Sequence, residues 1–248
     1  MNTQIDDVTI GEIVARDFRA AAVFQKFGID FCCGGKRSIV NACRTAGVEP
    51  LTVLDSLKRL NAEPGPTDDA AQWPVDRLVE HIVKTHHAYI RSSGPTIVAY
   101  LEKLVSVHGA RHPELSRIAH AFSQIHRELL PHMMKEEHVL FPYIAELTRI
   151  PGEQKMSSPF GSVENPIRMM EREHEEAGNE MRLIRELTND YTPPADGCTT
   201  YRVCFEELHR FEQDLHRHVH LENNILFPKT VALERRVCFG DRSPVVEA

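Results

Sequence analysis

The chain lacks any apolar run approaching the roughly 18 residues that a membrane-spanning helix needs. Its opening, MNTQIDDVTI, is polar and acidic rather than basic-then-apolar, so no signal peptide is expected. Basic charge is not in excess either. A formal net charge of -7 and a pI near 6.1 leave no footprint for phosphates, which argues against nucleic acid as a partner. The expectation is a cytoplasmic protein that engages neither membrane nor nucleic acid. The 6 cysteines (32, 33, 43, 198, 204, 238) include no C-x-x-C, which excludes a thioredoxin motif and a zinc ribbon. Without an export signal they read as thiols, with Cys43, Cys198, Cys204 and Cys238 as packing residues. No H-E-x-x-H occurs, so a zincin site is absent. Strand-type alternation is nearly missing.

What is present is helical periodicity. Thr9-Ile-Gly-Glu12 has the form of a capping box and opens an apolar rhythm from Ile10 to Phe24 that Gly28 ends. FCCGGK follows, then a short helix from about Ser38 to Ala46 and a third from Thr52 to Leu60. Residues 1–62 thus read as a small helical domain, and the Pro-, Gly- and Asp-rich stretch 63–73 as a linker. Beyond it four long amphipathic segments, about 75–108, 114–150, 164–190 and 199–235, predict an up-down-up-down four-helix bundle over 74–236, with 237–248 as a tail. Ser92-Ser-Gly-Pro95 is expected to bend or split the first of them.

The chain holds 14 histidines, and two of them open a duplicated template. HMMKEEHVLFP at 132 and HVHLENNILFP at 218 share H-x-x-x-E-x-x-x-L-F-P. Positions i and i+4 share a helix face, so His132 and Glu136 lie on the stripe of Leu140, and His218 and Glu222 on that of Leu226. A single H-x-x-x-E is an ordinary surface pair. Two copies on core stripes are different, because an unpaired buried carboxylate costs several kcal/mol, and a metal ion is an efficient partner. His174 precedes His218 by nearly the same distance as His87 precedes His132, and both have apolar residues at i−4 and i−5. His87 is therefore preferred as the fourth imidazole, with His86 as the fallback.

Four histidines on four helices and two glutamates suggest two metals, and six N/O donors without thiolate suit iron or manganese. The E-x-x-H unit of ferritin-like bundles is not what repeats here. Glu128 and Glu173 are candidates for orienting a ligand or relaying protons. His216-x-x-x-His220 lies on roughly the opposite face from His218 and reads as surface.

HMMKEEHVLFP, EREHEEAG and HVHLENNILFP, together with DFCCGGK, resemble the iron-sulfur cluster repair di-iron proteins of the ScdA/YtfE type, over residues from about 8 to 232. The resemblance implies an all-α fold with a ScdA-type N-terminal domain joined to a hemerythrin-like four-helix bundle. It implies two non-haem iron ions bridged by carboxylates and held by His87, His132, Glu136, His174, His218 and Glu222. It also implies repair of iron-sulfur proteins damaged by nitrosative and oxidative stress, through iron donation, with reduction of nitric oxide to nitrous oxide. The family's vicinal cysteines fall on Cys32 and Cys33, which could receive iron, supply electrons or form a disulfide, and a homodimer is implied. The competing expectations are a hemerythrin-type carrier or sensor of O2 or NO without turnover, and an iron-storage bundle.

Overall fold

A computed structural model describes residues 8–62, 69–150 and 157–239. The fold is all-α: among the described residues there is no strand beyond one isolated bridge between Thr9 and Ser38, and no helix is long and apolar enough to cross a membrane. Two compact units form. One comprises the described parts of Met1–Leu78, Ile144–Ile167 and Val219–Ala248; the other comprises Val79–Tyr143 and Arg168–His218.

In the first unit α1 (Ile10–Arg16) starts at the capping box. Glu12 N–H donates to Thr9 Oγ1 at 3.2 Å, and Thr9 N–H donates to Glu12 Oε2 at 2.8 Å. The expected single helix to Gly28 is instead interrupted, with α2 spanning Ala20–Lys26. Asp17 is extended, and its carboxylate takes both the backbone N–H and the guanidinium of Arg19, a local bond that competes with the helical ladder. Ser38 caps α3 (Ile39–Ala46), and Gly47 ends it at φ 67°, a left-handed setting that favours glycine. α4 (Pro50–Ala62) begins two residues before the expected Thr52, since proline at the first helical position lacks only a donor that would go unused. Ile10, Val14, Phe24, Ile39 and Val53 are buried together with this framework.

The same unit contains α11 (Phe227–Phe239). Just before it, Asn224 donates its amide to Phe31 O at 3.1 Å and meets His220 Nδ1 at 3.0 Å. Gly35 makes room for that amide: a Cβ there would lie 2.1 Å from Asn224 Oδ1 and 2.8 Å from Phe31 O. Buried Glu234 accepts from Val163 N–H at 2.9 Å and Ser162 Oγ at 3.1 Å, closing the start of α9 (Glu164–Leu187). Because α11 runs to Phe239, the expected tail begins later than 237; residues 240–248 and 63–68 lie outside the described residues.

The second unit holds parts of four helical rods. The first joins α5 (Val75–His81) to α6 (Ala88–His108), the second joins α7 (Glu114–Lys135) to α8 (Phe141–Arg149), the third is α9, and the fourth joins α10 (Thr199–Leu221) to α11. Cross-links read their directions. His86 meets Asp214 while His108 meets Cys198, and His174 meets His218 while Arg185 meets Glu212, so partner numbers fall as numbers rise. His87 with Glu137 and Gly94 with His126 repeat the pattern between the first two rods. Neighbouring rods are therefore antiparallel.

Contrary to expectation, Ser92–Pro95 does not break the first rod; α6 passes through Pro95. The Ser92 and Ser93 hydroxyls donate to Tyr89 O at 3.0 and 2.8 Å. Gly94 is small because the His126 ring lies against it, where a Cβ would come within 2.2 Å of Cδ2.

Three rods carry a turn of π-helix: Ile82–His87, Glu136–Leu140 and Glu222–Leu226. In the latter two, Phe141 N–H reaches back five residues to Glu136 O, and Phe227 N–H to Glu222 O. The next residue each time is the template's proline, Pro142 or Pro228, which has no N–H and crowds the carbonyl four residues behind.

Gly35→Ala should destabilise the protein by about 1–3 kcal/mol through overpacking against Asn224 and the Phe31 carbonyl. Thermal melts followed by circular dichroism check this, and an unchanged midpoint would show that the close approach is not needed.

Candidate metal centre

The duplicated template and its two partner rods bring six polar side chains into one buried place. His87, His132, Glu136, His174, His218 and Glu222 are all at most 1% exposed. His87 is the last residue of the first π turn, Glu136 and Glu222 are the first residues of the other two, and His174 lies mid-α9. Each template histidine stands four residues before its glutamate on a continuous rod, so both present their donors inward together.

The donors meet in two sets. His87 Nε2 and His218 Nε2 are 3.2 Å apart, and His132 Nε2 and His174 Nε2 are 3.0 Å apart. Glu136 Oε2 is 3.4 Å from Nε2 of both His87 and His132. Ligand atoms of His87, Glu136, His218 and Glu222 all lie within 4.8 Å of one another, as do those of His132, Glu136, His174 and Glu222. Both glutamates belong to both sets. His86, the fallback, belongs to neither: it is buried, bonds Asp214 Oδ1 through Nδ1 at 2.9 Å, and stacks on the His218 ring at 5.6 Å.

The outer nitrogens explain which way two of the rings face. His132 Nδ1–H donates to Glu173 Oε2 at 2.8 Å, and Lys135 pairs with the other oxygen of Glu173. His87 Nδ1–H donates to Glu137 Oε1 at 2.7 Å, which Arg91 also reaches at 2.8 Å. A carboxylate at Nδ1 holds the proton there and leaves the Nε2 lone pair aimed at the centre. The hydrogen bond from His132 draws the Glu173 carboxyl down to about 2, with Lys135 helping against burial. Burial works against the Glu137 anion, but hydrogen bonds from His87 and Arg91 prevail and its value is lowered.

Glu137 was missed by sequence reasoning. It directly follows Glu136, and the second copy has Asn223 in its place, so the repeat does not mark it. Of the two acids that were singled out, Glu173 touches a centre histidine. Glu128 is exposed, bonded by Gln124 Nε2 at 3.2 Å, and helps line a cavity of about 160 Å³ with Leu129, His132, Lys135, Glu173 and Ala177. His220 is not on the surface: it is fully buried, with its ring among those of Phe18 and Phe31, while His216 is half-buried. Helix-face arithmetic set it apart from His218 and took that face to be wet, whereas Phe18 and Phe31 cover it. Cys198 is exposed rather than packed, and Cys238 is half-buried; Cys43 and Cys204 are buried.

Cys32 and Cys33 are free thiols with sulfurs 3.9 Å apart. Asp30 accepts from both backbone N–H groups at 3.1 and 2.9 Å, and its carboxylate is 3.3 Å from the Cys32 sulfur. The hydrogen bond with Cys33, followed by burial, raises the Cys32 thiol well above its ordinary value. Asp30, Cys32 and Cys33 form a further group with ligand atoms within 4.8 Å. Asn223, the residue after Glu222, donates to Cys32 O at 3.4 Å.

Four imidazoles and two carboxylates, all oxygen and nitrogen, are a donor set that fits iron or manganese. Comparisons with known proteins agree in kind. The family described as the hemerythrin HHE cation binding domain matches residues 78–230, and ScdA_N, a domain of unknown function, matches residues 6–61. A protein of Dickeya chrysanthemi named iron-sulfur cluster repair protein YtfE is 34% identical over 225 residues, 91% of this chain and 97% of the relative. Proteins of the same name from Cronobacter sakazakii and Escherichia coli O157:H7 are 35% and 33% identical, each over 92% of this chain and 98% of the relative.

Glu173→Gln keeps the shape but removes the charge that His132 addresses. Iron retention against a chelator should fall about 10–100-fold, whereas Glu128→Gln should leave it unchanged. The Glu173 value is lowered on folding, so its contribution is complete above the ordinary carboxyl value of 4.5 and is lost as pH falls toward about 2. Equal retention by Glu173→Gln and wild type would remove Glu173 from the centre.

Proposed function

The chain belongs to the iron-sulfur cluster repair proteins that join a ScdA-type domain to a hemerythrin-type cation-binding domain, and we propose that it binds a pair of iron ions and serves to repair damaged iron-sulfur proteins. The observation that carries this reading is the pairing of the donors: two imidazole pairs, each closed to about 3 Å, with both glutamates common to both. One cation would need only one such set. His87 and His218 would hold one ion and His132 and His174 the other, with Glu136 and Glu222 within reach of both. Iron held there in its reduced state would supply electrons and bind small ligands.

The remaining chemistry is the chain's own. The cavity beside His132 has room for a diatomic such as NO or O2 and is walled by Leu129 and Ala177. Coupling two NO molecules to nitrous oxide and water consumes two electrons and two protons, and holding them together is worth up to ~7–11 kcal/mol in orientation alone. Glu173 and Glu137 keep their histidines in one tautomer throughout, so the imidazoles orient without exchanging protons. In repair, iron is the cargo. Cys32, Cys33 and Asp30 are the acceptor group for iron on its way to a client protein, and the thiol of Cys32 releases its proton when the metal takes its place.

In one test, iron content and Mössbauer spectra are compared for wild type and Glu136→Ala, followed by anaerobic mixing of the reduced protein with NO. Wild type should contain paired iron and release one nitrous oxide per two reduced iron ions, repeatedly once an excess electron donor is supplied, while Glu136→Ala should lose the paired signature and the product. A stable, reversible adduct without product would favour a carrier instead, and a wild-type protein grown in ample iron that holds none would overturn the reading.

Repair is tested separately by reactivation of an NO-damaged iron-sulfur enzyme. Replacing both Cys32 and Cys33 by Ser should reduce rescue to background with the bundle's iron content intact. Rescue equal to wild type would retire the thiol route.

A further inference from the structure

About 30 Å along α6 from His87, at 1.5 Å per residue, lies a second chemical grouping that the metal centre does not use. Cys198 stands immediately before α10, and its carbonyl accepts from Arg202 N–H at 3.2 Å, so it caps the start of a 23-residue helix. Its thiol is exposed. The sulfur nevertheless has a buried partner: His108, 5% exposed, places Nε2 3.3 Å from Sγ.

The ring of His108 is held in one sense. Arg111 Nη2 lies 3.4 Å from His108 Nδ1. A guanidinium only donates, so Nδ1 accepts and the neutral ring carries its proton on Nε2, facing the sulfur. Tyr201 packs edge-on against His108 at 5.5 Å and against His112 at 5.7 Å. The anion of Asp196, two residues before the cysteine, is engaged by Arg111 at 2.7 Å and by His112 at 3.0 Å; His112 also meets Glu114 at 3.2 Å. Arg202 bonds Gly197 O at 3.2 Å and brings another cation to this end of the helix. A ring N–H thus meets the sulfur of an exposed cysteine at the positive end of a helix, with Arg111 held behind the ring by Asp196 and Arg202 tied to the Gly197 carbonyl. A sulfur so exposed and so oriented is open to a small electrophile. The other thiols lack this exposure: Cys32, Cys43 and Cys204 are buried, and Cys33 and Cys238 are half-buried.

We propose that Cys198 and His108 form a reactive thiol pair that exchanges with small disulfides, a modification site separate from the metal centre. The Cys198 proton passes to solvent, and the sulfur, hydrogen-bonded by His108 Nε2–H, attacks one sulfur of the disulfide. A new S–S bond forms to Cys198 as the old one breaks. The electron pair leaves on the departing sulfur, which water protonates. No external oxidant is needed, since the disulfide is itself the oxidant, and excess thiol reverses the exchange.

The test uses the iron-loaded full chain with oxidised glutathione as the small disulfide, mapping each cysteine by peptide mass spectrometry over time. Cys198 should be modified first, about tenfold faster than a short unstructured cysteine peptide at the same pH. His108→Phe should bring its rate down to that of the peptide, with iron content unchanged. Earlier modification of Cys33 or Cys238, a Cys198 rate no faster than the peptide, or a rate indifferent to His108→Phe would each overturn the proposal. Should His108→Phe not fold, Arg111→Gln decides: its side chain is exposed, a slower exchange upholds the pair, and an unchanged rate defeats it.

Discussion

Two pairs of ring nitrogens facing each other across about 3 Å, inside a helical bundle and beside two buried carboxylates, are the constraint on which the rest depends. Polar groups so placed cost several kcal/mol each unless something between them answers their lone pairs and charge. Much else about the bundle follows from holding those donors in place. The rods alternate in direction so that each contributes one imidazole, and the template glutamates sit where both sets can share them. Leu140 and Leu226 seal the stripes one step beyond.

The outer contacts are distributed evenly although the sequence around them is not. One imidazole of each set is buttressed by a carboxylate, His87 by Glu137 and His132 by Glu173, and each acid is itself paired with a cation, Arg91 or Lys135. The two sets are thus similar in charge. The duplicated template diverges at the position of Glu137 and Asn223. There the first copy supports a histidine, and the second sends an amide to the carbonyl of Cys32. One template has come to do two things: orient a ligand in one copy, and tie the Cys-Cys turn beside Glu222 in the other.

The helical class, the rods and the residues that converge were legible because i, i+4 spacing and an eleven-residue repeat are properties of sequence alone. Register arithmetic preferred His87 over His86, and the structure seats His87 among the donors while His86 turns to Asp214. What could not be read depends on partners remote in sequence. Glu137 matters because His87 faces it from another rod, and His220 is buried because Phe18 and Phe31 cover a face that helix geometry alone leaves open. Ser92–Pro95 looks like a break until the His126 ring is seen against Gly94. The interruption at Asp17 had a local signal, an Asp two residues before an Arg, that the longer apolar rhythm outweighed.

The prolines after the π turns carry one more meaning. Pro142 and Pro228 offer no N–H to the carbonyl four residues behind, so ordinary winding would regain one hydrogen bond fewer at these two places. The winding of the two glutamate-bearing rods is therefore biased by a covalent ring as well as by the packing around it. Part of the mould for the cage of donors is thus written into the covalent chain itself.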